Sequence, residues 1–378
     1  MITPHATTVF TSRHSRLLAE LEDQRQEALV INAGASLVYF TGLHFHLSER
    51  PVLAILVQNR PVILVVPEME AGKTAQLPFA NIVFPYSEDP ATWPGAFQQA
   101  AQAAGFDRPR RVGIEPRQLR VLELRLLEAA APLAEFLPAE TSVAALRMHK
   151  DAGEISAMRK AVDVAQQALL ATLPLVKAGM TERELAAELT LQMLRHGSNP
   201  EMPFYPIVAA GPNSANPHAV PGDRPLAHGD LLILDWGATV NGYLSDLTRT
   251  FSIGQPDQEM ARLGQIVLEA NAAARTQAAP GVQASQIDRA ARDVIEKAGY
   301  GAHFLHRTGH GLGLEGHEEP YIRADNPLSL APGMTFTIEP GIYLAGRGGV
   351  RIEDDMVITE DGAESLSDLP RELIALDD

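Results

Sequence analysis

Several acids and histidines occupy positions where polar chemistry costs a folded chain most. Asp235 ends the aliphatic run Leu231-Leu-Ile-Leu-Asp-Trp236, and Asp246 lies eleven residues on (246 − 235 = 11) in a second strand-like stretch. An ionised carboxylate removed from water is costly unless it is paired, protonated or bound to a metal. The same oddity recurs in Asn216-Pro-His218, in the glycine-rich run from Thr308 to His317, in Thr337-Ile-Glu-Pro-Gly341 and in Val350-Arg-Ile-Glu-Asp-Asp355. Singly, each has a bland reading: a lone His218 is more often a hydrogen-bonded structural residue, and a glutamate before Pro-Gly can simply end a strand. Together, Asp235, Asp246, His310, Glu339 and Glu353 supply four carboxylates and one imidazole. Two divalent cations would balance that formal charge of −4 and offset the burial penalty by coordination. Oxygen-rich ligation with one histidine suits Mn²⁺, Co²⁺, Fe²⁺ or Zn²⁺ without choosing among them.

The elements that must hold these residues are legible in outline. Strands are expected at Leu231–Val240 and Tyr243–Ile253, joined by Asn241-Gly242, a pair suited to the positive φ angles of a tight hairpin. Folding that hairpin brings Asp235 and Asp246 together. Further strands are predicted at Tyr205–Ala210, Thr335–Ile338 and Gly349–Thr359. Asp151 with Glu154, and Thr181 with Glu184, have the spacing of capping boxes. Behind the first, Ile155, Met158, Val162, Ala165 and Leu169 mark one helix face; Leu185, Leu189 and Met193 do so behind the second. Helices are also expected near Gln258–Ala278 and Ala284–Ala298. Before residue 145 the chain alternates helix and strand patterns: helices near Ser12–Gln26, Thr92–Ala104 and Arg117–Ala131, and strands near Ala28–Ile31, Val52–Val57 and Val62–Val66. That pattern predicts a small α/β domain with no catalytic constellation of its own.

The 378 residues, 46% of them apolar, suffice for two domains with separate cores. With no cysteine, thiol catalysis, disulfides and thiolate-ligated zinc are excluded, so any metal must be held by oxygen and imidazole. A formal charge of −16 without a basic cluster argues against nucleic acid as a partner. The most apolar region, Val52 to Val66, is broken by Gln58-Asn-Arg-Pro61 and reads as two short strands, not a membrane span. The amino terminus has neither the cationic start nor the apolar segment of a signal peptide, which together with the missing cysteine predicts a cytoplasmic location.

Across residues 150–378 the motifs closely resemble the metallopeptidases of the pita-bread fold, the family of methionine aminopeptidase, aminopeptidase P and prolidase. The resemblance rests on the ligand order Asp, Asp, His, Glu, Glu and on Asp-Trp-Gly, Ser-Asp-Leu-Thr-Arg, Gly-His-Gly-Leu-Gly, Glu-Pro-Gly and Arg-Ile-Glu-Asp. The earlier part is similar to the creatinase-type N-terminal domain, chiefly through Tyr39-Phe-Thr-Gly42. The resemblance implies an α/β (α+β) chain with a creatinase-like domain at 1–147 and a pita-bread catalytic domain at 148–378. It implies two divalent ions, Mn²⁺ first: Asp235 chelating one, Asp246 and Glu353 bridging both, and His310 with Glu339 completing the other. Such a pair activates a bridging water as hydroxide and polarises the scissile carbonyl. Glu339 would also shuttle the proton, and His218 and His317 would hydrogen-bond the substrate and the developing charge. Creatinase itself uses the fold without metals, and non-catalytic peptide-binding relatives lack intact sites; both readings are disfavoured because all five ligand positions are filled. A homodimer is implied by the resemblance alone.

Methionine aminopeptidase lacks a preceding domain of this kind, and Gly313-Leu-Glu-Gly-His-Glu-Glu-Pro320 resembles the proline-specific branch. The substrate expected is therefore a proline-containing peptide cut at its Xaa-Pro bond. A compact chain without insertions favours the dipeptide enzyme, prolidase, over aminopeptidase P. One departure argues the other way: where typical prolidases carry an arginine for the dipeptide's carboxylate, this chain has Tyr321. Arg351, another expected substrate contact, lies in a motif common to both branches. Arg50, in the polar loop Leu43-His-Phe-His-Leu-Ser-Glu-Arg50, is the candidate replacement cation, on this chain or on a dimer partner.

Overall fold

Uninterrupted apolar runs become strands covered on both sides, and the shorter polar ones become edges. The computed structural model describes residues 4–376 and divides into two compact units, one ending at Arg147 and the other beginning at Met148. In the first unit, helix α1 (Pro4–Asp23) precedes β1 (Ala28–Asn32), α2 (Ala35–Thr41), β2 (Leu53–Val57), β3 (Val62–Pro67), β4 (Asn81–Tyr86), α3 (Trp93–Ala104), β5 (Arg110–Ile114), α4 (Val121–Ala130), β6 (Ala134–Pro138) and α5 (Glu140–Arg147). The strands form one mixed sheet in the order β4-β3-β2-β1-β5-β6. Every residue of β1, β2 and β3 is buried, as expected of central strands. Val30, Ile55, Ile63 and Val112 pack there with Phe97, Ala100 and Ala104 of α3. β4, β5 and β6 are strands beyond those expected from the sequence. β4 and β6 are half-exposed edges, β6 ends in proline, and β5 opens on two arginines, so none has the apolar continuity of the central strands.

The second unit has two helix-covered halves. Its elements are α6 (Ala152–Thr172), α7 (Glu182–Arg195), β7 (Ile207–Ala210), β8 (Leu231–Trp236), β9 (Thr239–Val240), β10 (Tyr243–Leu244), β11 (Leu247–Ile253), α8 (Gln258–Gln277), α9 (Ala284–Lys297), β12 (Gly309–Gly311), β13 (Glu318–Ile322), β14 (Thr335–Ile338), β15 (Gly341–Leu344), β16 (Gly348–Arg351), β17 (Asp354–Ile358), β18 (Ala363–Ser365) and β19 (Ile374–Leu376). Both expected capping boxes form, at Asp151 with Glu154 and at Thr181 with Glu184. Met158, Val162, Leu185 and Leu189 of α6 and α7 pack on Val208, Leu232, Leu234 and Phe251 of the sheet β19-β11-β8-β7. Leu263, Val267, Ile287 and Ala291 of α8 and α9 pack with Phe336, Ile338 and Met356 of the sheet β13-β12-β14-β17-β18. A backbone bridge between Thr248 and Glu353 joins the halves.

Three predicted strands are divided. The run Leu231–Val240 breaks after Trp236, Tyr243–Ile253 breaks between Leu244 and Leu247, and Gly349–Thr359 breaks between Arg351 and Asp354, so that Glu353 leaves the ladder of its neighbours and pairs with Thr248 instead. The turn between β9 and β10 has both central residues at positive φ, Asn241 at 53° and Gly242 at 83°, as a two-residue hairpin requires. No helix among the described residues is long and apolar enough to cross a membrane.

Candidate metal centre

Asp235 lies near the end of β8, opposite Thr248 of β11, which puts Asp246 just before the partner strand. The indole of Trp236 donates to the Ala165 carbonyl at 2.8 Å and fixes the end of β8 to α6. The second half contributes His310 from β12, Glu339 after β14 and Glu353 before β17. All but Glu339 are buried, and the Glu339 side chain is 15% exposed, against 11% for Asp235 and 10% for Asp246. One ligand atom from each of Asp246, His310 and Glu353 lies within 4.8 Å of the others. His310 Nε2 is 3.5 Å from Glu339 Oε1 and 3.7 Å from Asp246 Oδ2. His310 Nδ1 lies 3.1 Å from the Gly311 carbonyl, a contact that fixes the proton on Nδ1 and leaves the Nε2 lone pair facing the acids.

His310 is held by backbone. A Cβ on Gly309 would strike the Thr337 carbonyl, and one on Gly311 would strike the carbonyls of Glu319 and Glu318. Glycine on both sides lets β12 lie directly against β14 and β13.

The electrostatics are those of a buried acid cluster. Burial pushes Glu353 well above the usual carboxylate range, and Glu339 and Asp235 beside it push the same way. Asp246 is raised well above its ordinary value by burial and by the Glu353 and Asp235 charges. Glu339 is raised to about 7 by burial, against the opposing pull of Arg351. Asp235 is raised by burial, with Arg351 opposing, and its Oδ1 is buried without a hydrogen-bond partner. Clustered acids, an orphan buried carboxylate oxygen and a free imidazole lone pair fit divalent cations, whose charge reverses every one of these shifts.

His317 lies edge-on to His310, ring centroids 4.1 Å apart. Burial, Arg307 and His218 lower its pKa. His218 is exposed, and its field bears on Asp235, His306 and His317, so it faces the same space. Arg351 is committed: it donates to Asp235 Oδ2 at 2.5 Å, to Thr248 Oγ1 at 3.1 Å and to the Tyr343 hydroxyl at 2.9 Å. Tyr321, on β13, lies under the Arg307 guanidinium, which is 4.4 Å from the ring centroid. Arg50 belongs to the first unit and pairs with Glu88 at 2.9 Å and Glu49 at 2.9 Å.

Four residues around the cluster were not singled out in the sequence. Asp355 Oδ2 accepts from the Asp246 amide at 3.0 Å. Its neighbour Asp354 turns the other way, to Arg249, Arg371 and Ser367. His306 Nε2 meets the Tyr343 hydroxyl at 2.9 Å, and its pKa is lowered to about 4 by burial. Glu182 at the start of α7 accepts from the Ala210 amide at 2.7 Å, Asn213 Nδ2 at 2.8 Å and the Gly222 amide at 2.9 Å, bracketing the loop that carries His218. The only available signal for Glu182 was an acid in the first turn of a helix, a position that ordinarily needs no further explanation.

Fold and site together define a metal-dependent hydrolase. Residues 156–360 match the model of metallopeptidase family M24, and residues 13–149 match that of the creatinase/prolidase N-terminal domain. The chain belongs to the M24 metallopeptidases: a creatinase-type α/β domain followed by a pita-bread catalytic domain. It is 37% identical to a probable dipeptidase PepE of Mycobacterium tuberculosis, over 97% of each chain. Its structure is similar to that of a prolidase from Thermococcus sibiricus (34% identity, 97% of this chain and 99% of that one, TM-score 0.91). It is also similar to that of an X-Pro aminopeptidase from Thermotoga maritima (32% identity, 96% and 99%, TM-score 0.84).

Proposed function

We propose that this chain hydrolyses the Xaa-Pro bond of dipeptides, as a cytoplasmic homodimer loaded with two divalent ions, Mn²⁺ first. The observation that carries the reading is the convergence of Asp246, His310 and Glu353, with Glu339 beside them, in a chain similar almost end to end to proteins named dipeptidase and prolidase. Asp235, Asp246, His310, Glu339 and Glu353 would hold the ions. When bound, these supply Lewis acidity to the scissile carbonyl and lower the pKa of a nearby water. The chain's own residues do the rest. Glu339 takes a proton from the attacking water and delivers it to the prolyl nitrogen as the C–N bond breaks. His218 and His317 donate hydrogen bonds to the carbonyl oxygen as it gains charge. Arg351 keeps Asp235 aimed into the site. Arg50, the cation the sequence offers for the substrate carboxylate, is engaged by Glu49 and Glu88; an Arg50→Ala enzyme with unchanged KM on Xaa-Pro dipeptides rules that role out.

Tyr321 favours a second reading, aminopeptidase P, because the usual dipeptide anchor is missing from its position. The deciding experiment strips the enzyme with chelator, restores Mn²⁺, and compares initial rates on Leu-Pro and Leu-Pro-Gly. A faster rate on Leu-Pro is expected. Preference for the tripeptide establishes the second reading, and metal-dependent activity on neither ends both. Light scattering on the eluting protein tests the dimer.

A further inference from the structure

Among the described residues near the cluster, one guanidinium has no counter-ion. Arg307 lies shortly before His310, where the chain enters β12, and Tyr321 lies on the antiparallel neighbour β13, whose next residue, Ile322, pairs with Gly309. The Thr308 amide donates to the Ile322 carbonyl at 3.0 Å and locks the two segments together just there. The Arg307 guanidinium carbon sits 4.4 Å from the Tyr321 ring centroid. Tyr321 is itself fixed: its amide donates to Glu319 Oε2 at 3.0 Å, and its carbonyl accepts from Asn326 Nδ2 at 2.7 Å. Among the described residues the guanidinium has no ion-pair or hydrogen-bond partner, although it is half-buried in an acidic chain. Arg351, by contrast, is spent on Asp235, Thr248 and Tyr343.

A cation stacked on an aromatic face keeps its N–H edge free for an in-plane partner. A carboxylate is the partner that geometry suits best, since two parallel N–H···O bonds match the fork. We propose that Arg307, held in place by Tyr321, binds the C-terminal carboxylate of the substrate and so supplies the anchor that the tyrosine at position 321 lacks. The inference rests on the dipeptidase reading and gives it a recognition element inside the catalytic unit. Arg307 is a specificity residue here, and Tyr321 a positioning residue acting through it.

The test uses the Mn²⁺-loaded full-length enzyme and two substrates that differ only in the carboxylate, Leu-Pro and Leu-Pro-amide. For Arg307→Ala, KM on Leu-Pro rises at least tenfold while the amide is turned over as by the unaltered enzyme, so the preference for the acid collapses. Inhibition by free proline weakens in parallel. Arg307→Lys, which keeps the charge without the fork, recovers part of the preference, and Tyr321→Leu loses part of it. Equal loss on both substrates, or none on Leu-Pro, overturns the proposal. So does a preference that falls in Arg50→Ala and survives in Arg307→Ala. If the unaltered enzyme cleaves Leu-Gly but not Leu-Pro, the Xaa-Pro reading fails, and the same comparison between Leu-Gly and its amide still decides the role of Arg307.

Discussion

Arg351 and Asp235 are hydrogen-bonded, Nη2 to Oδ2 at 2.5 Å, with the two side chains 3% and 11% exposed. The guanidinium does for Asp235 part of what a divalent ion would do, compensating a carboxylate that burial otherwise pushes toward protonation. Breaking a buried pair from one side costs about 3–5 kcal/mol, because the remaining charge is left without a partner. Arg351→Met is therefore expected to destabilise the chelator-stripped protein far more than the Mn²⁺-loaded one. The gap between the two melting temperatures should widen by about 5 °C or more. An unchanged gap by scanning calorimetry means that Asp235 does not depend on Arg351.

Asp246→Asn and His310→Ala remove members of the buried triad. Each is expected to lower bound metal per chain, measured by elemental analysis, and to cut turnover by about 10³-fold or more, since residues acting as one unit fail together. Full metal content with full activity in either variant refutes that residue's assignment as a ligand.

Glu182 ties Ala210, Asn213 and Gly222 around His218. Glu182→Gln turns an amide donor toward groups that are themselves donors, at a cost of about 1–3 kcal/mol. The expected signature is a fall in kcat of about tenfold with KM and metal content little changed. A kcat equal to that of the unaltered enzyme removes Glu182 from the positioning of His218.

Asp354 sets an acid limit. Burial pushes its carboxyl up, but Arg249, Arg371 and Ser367 more than reverse this and bring its pKa to about 2. A folded-state value below the unfolded one contributes stability above about pH 4 that is lost as pH falls toward 2, about 2 kcal/mol in all. In denaturant titrations of metal-stripped protein, Asp354→Asn should be less stable at pH 7 and flatter between pH 4 and 2. A variant with the unaltered slope shows that the linkage lies in other carboxylates.

The candidate ligands stood out in the sequence because they break local rules: an acid ending an aliphatic run, a histidine among glycines, a glutamate before Pro-Gly. The pairings that support it were not, because they join elements far apart in the chain, as Arg351 joins Asp235 and Asp355 joins the Asp246 amide. Asp354 and Asp355 look alike in sequence; strand alternation sends them to opposite sides, one to Arg249 and one to Asp246. Arg307 was hidden by the motif it precedes. The central strands of the first unit were visible as apolar runs, and its half-polar edges were not.

Gly309 and Gly311 have a consequence for how the chain tolerates change. Because carbonyl groups fill the space a Cβ would need at both positions, the close approach of β12 to its neighbours, and with it the aim of the imidazole, depends on glycine at each. In a library that randomises every codon, these two glycines should be as intolerant as His310 itself, whatever peptide or metal is used for selection. Tyr321 and Arg307, which make side-chain contacts, are the positions where selection for a new substrate can act without dismantling the site.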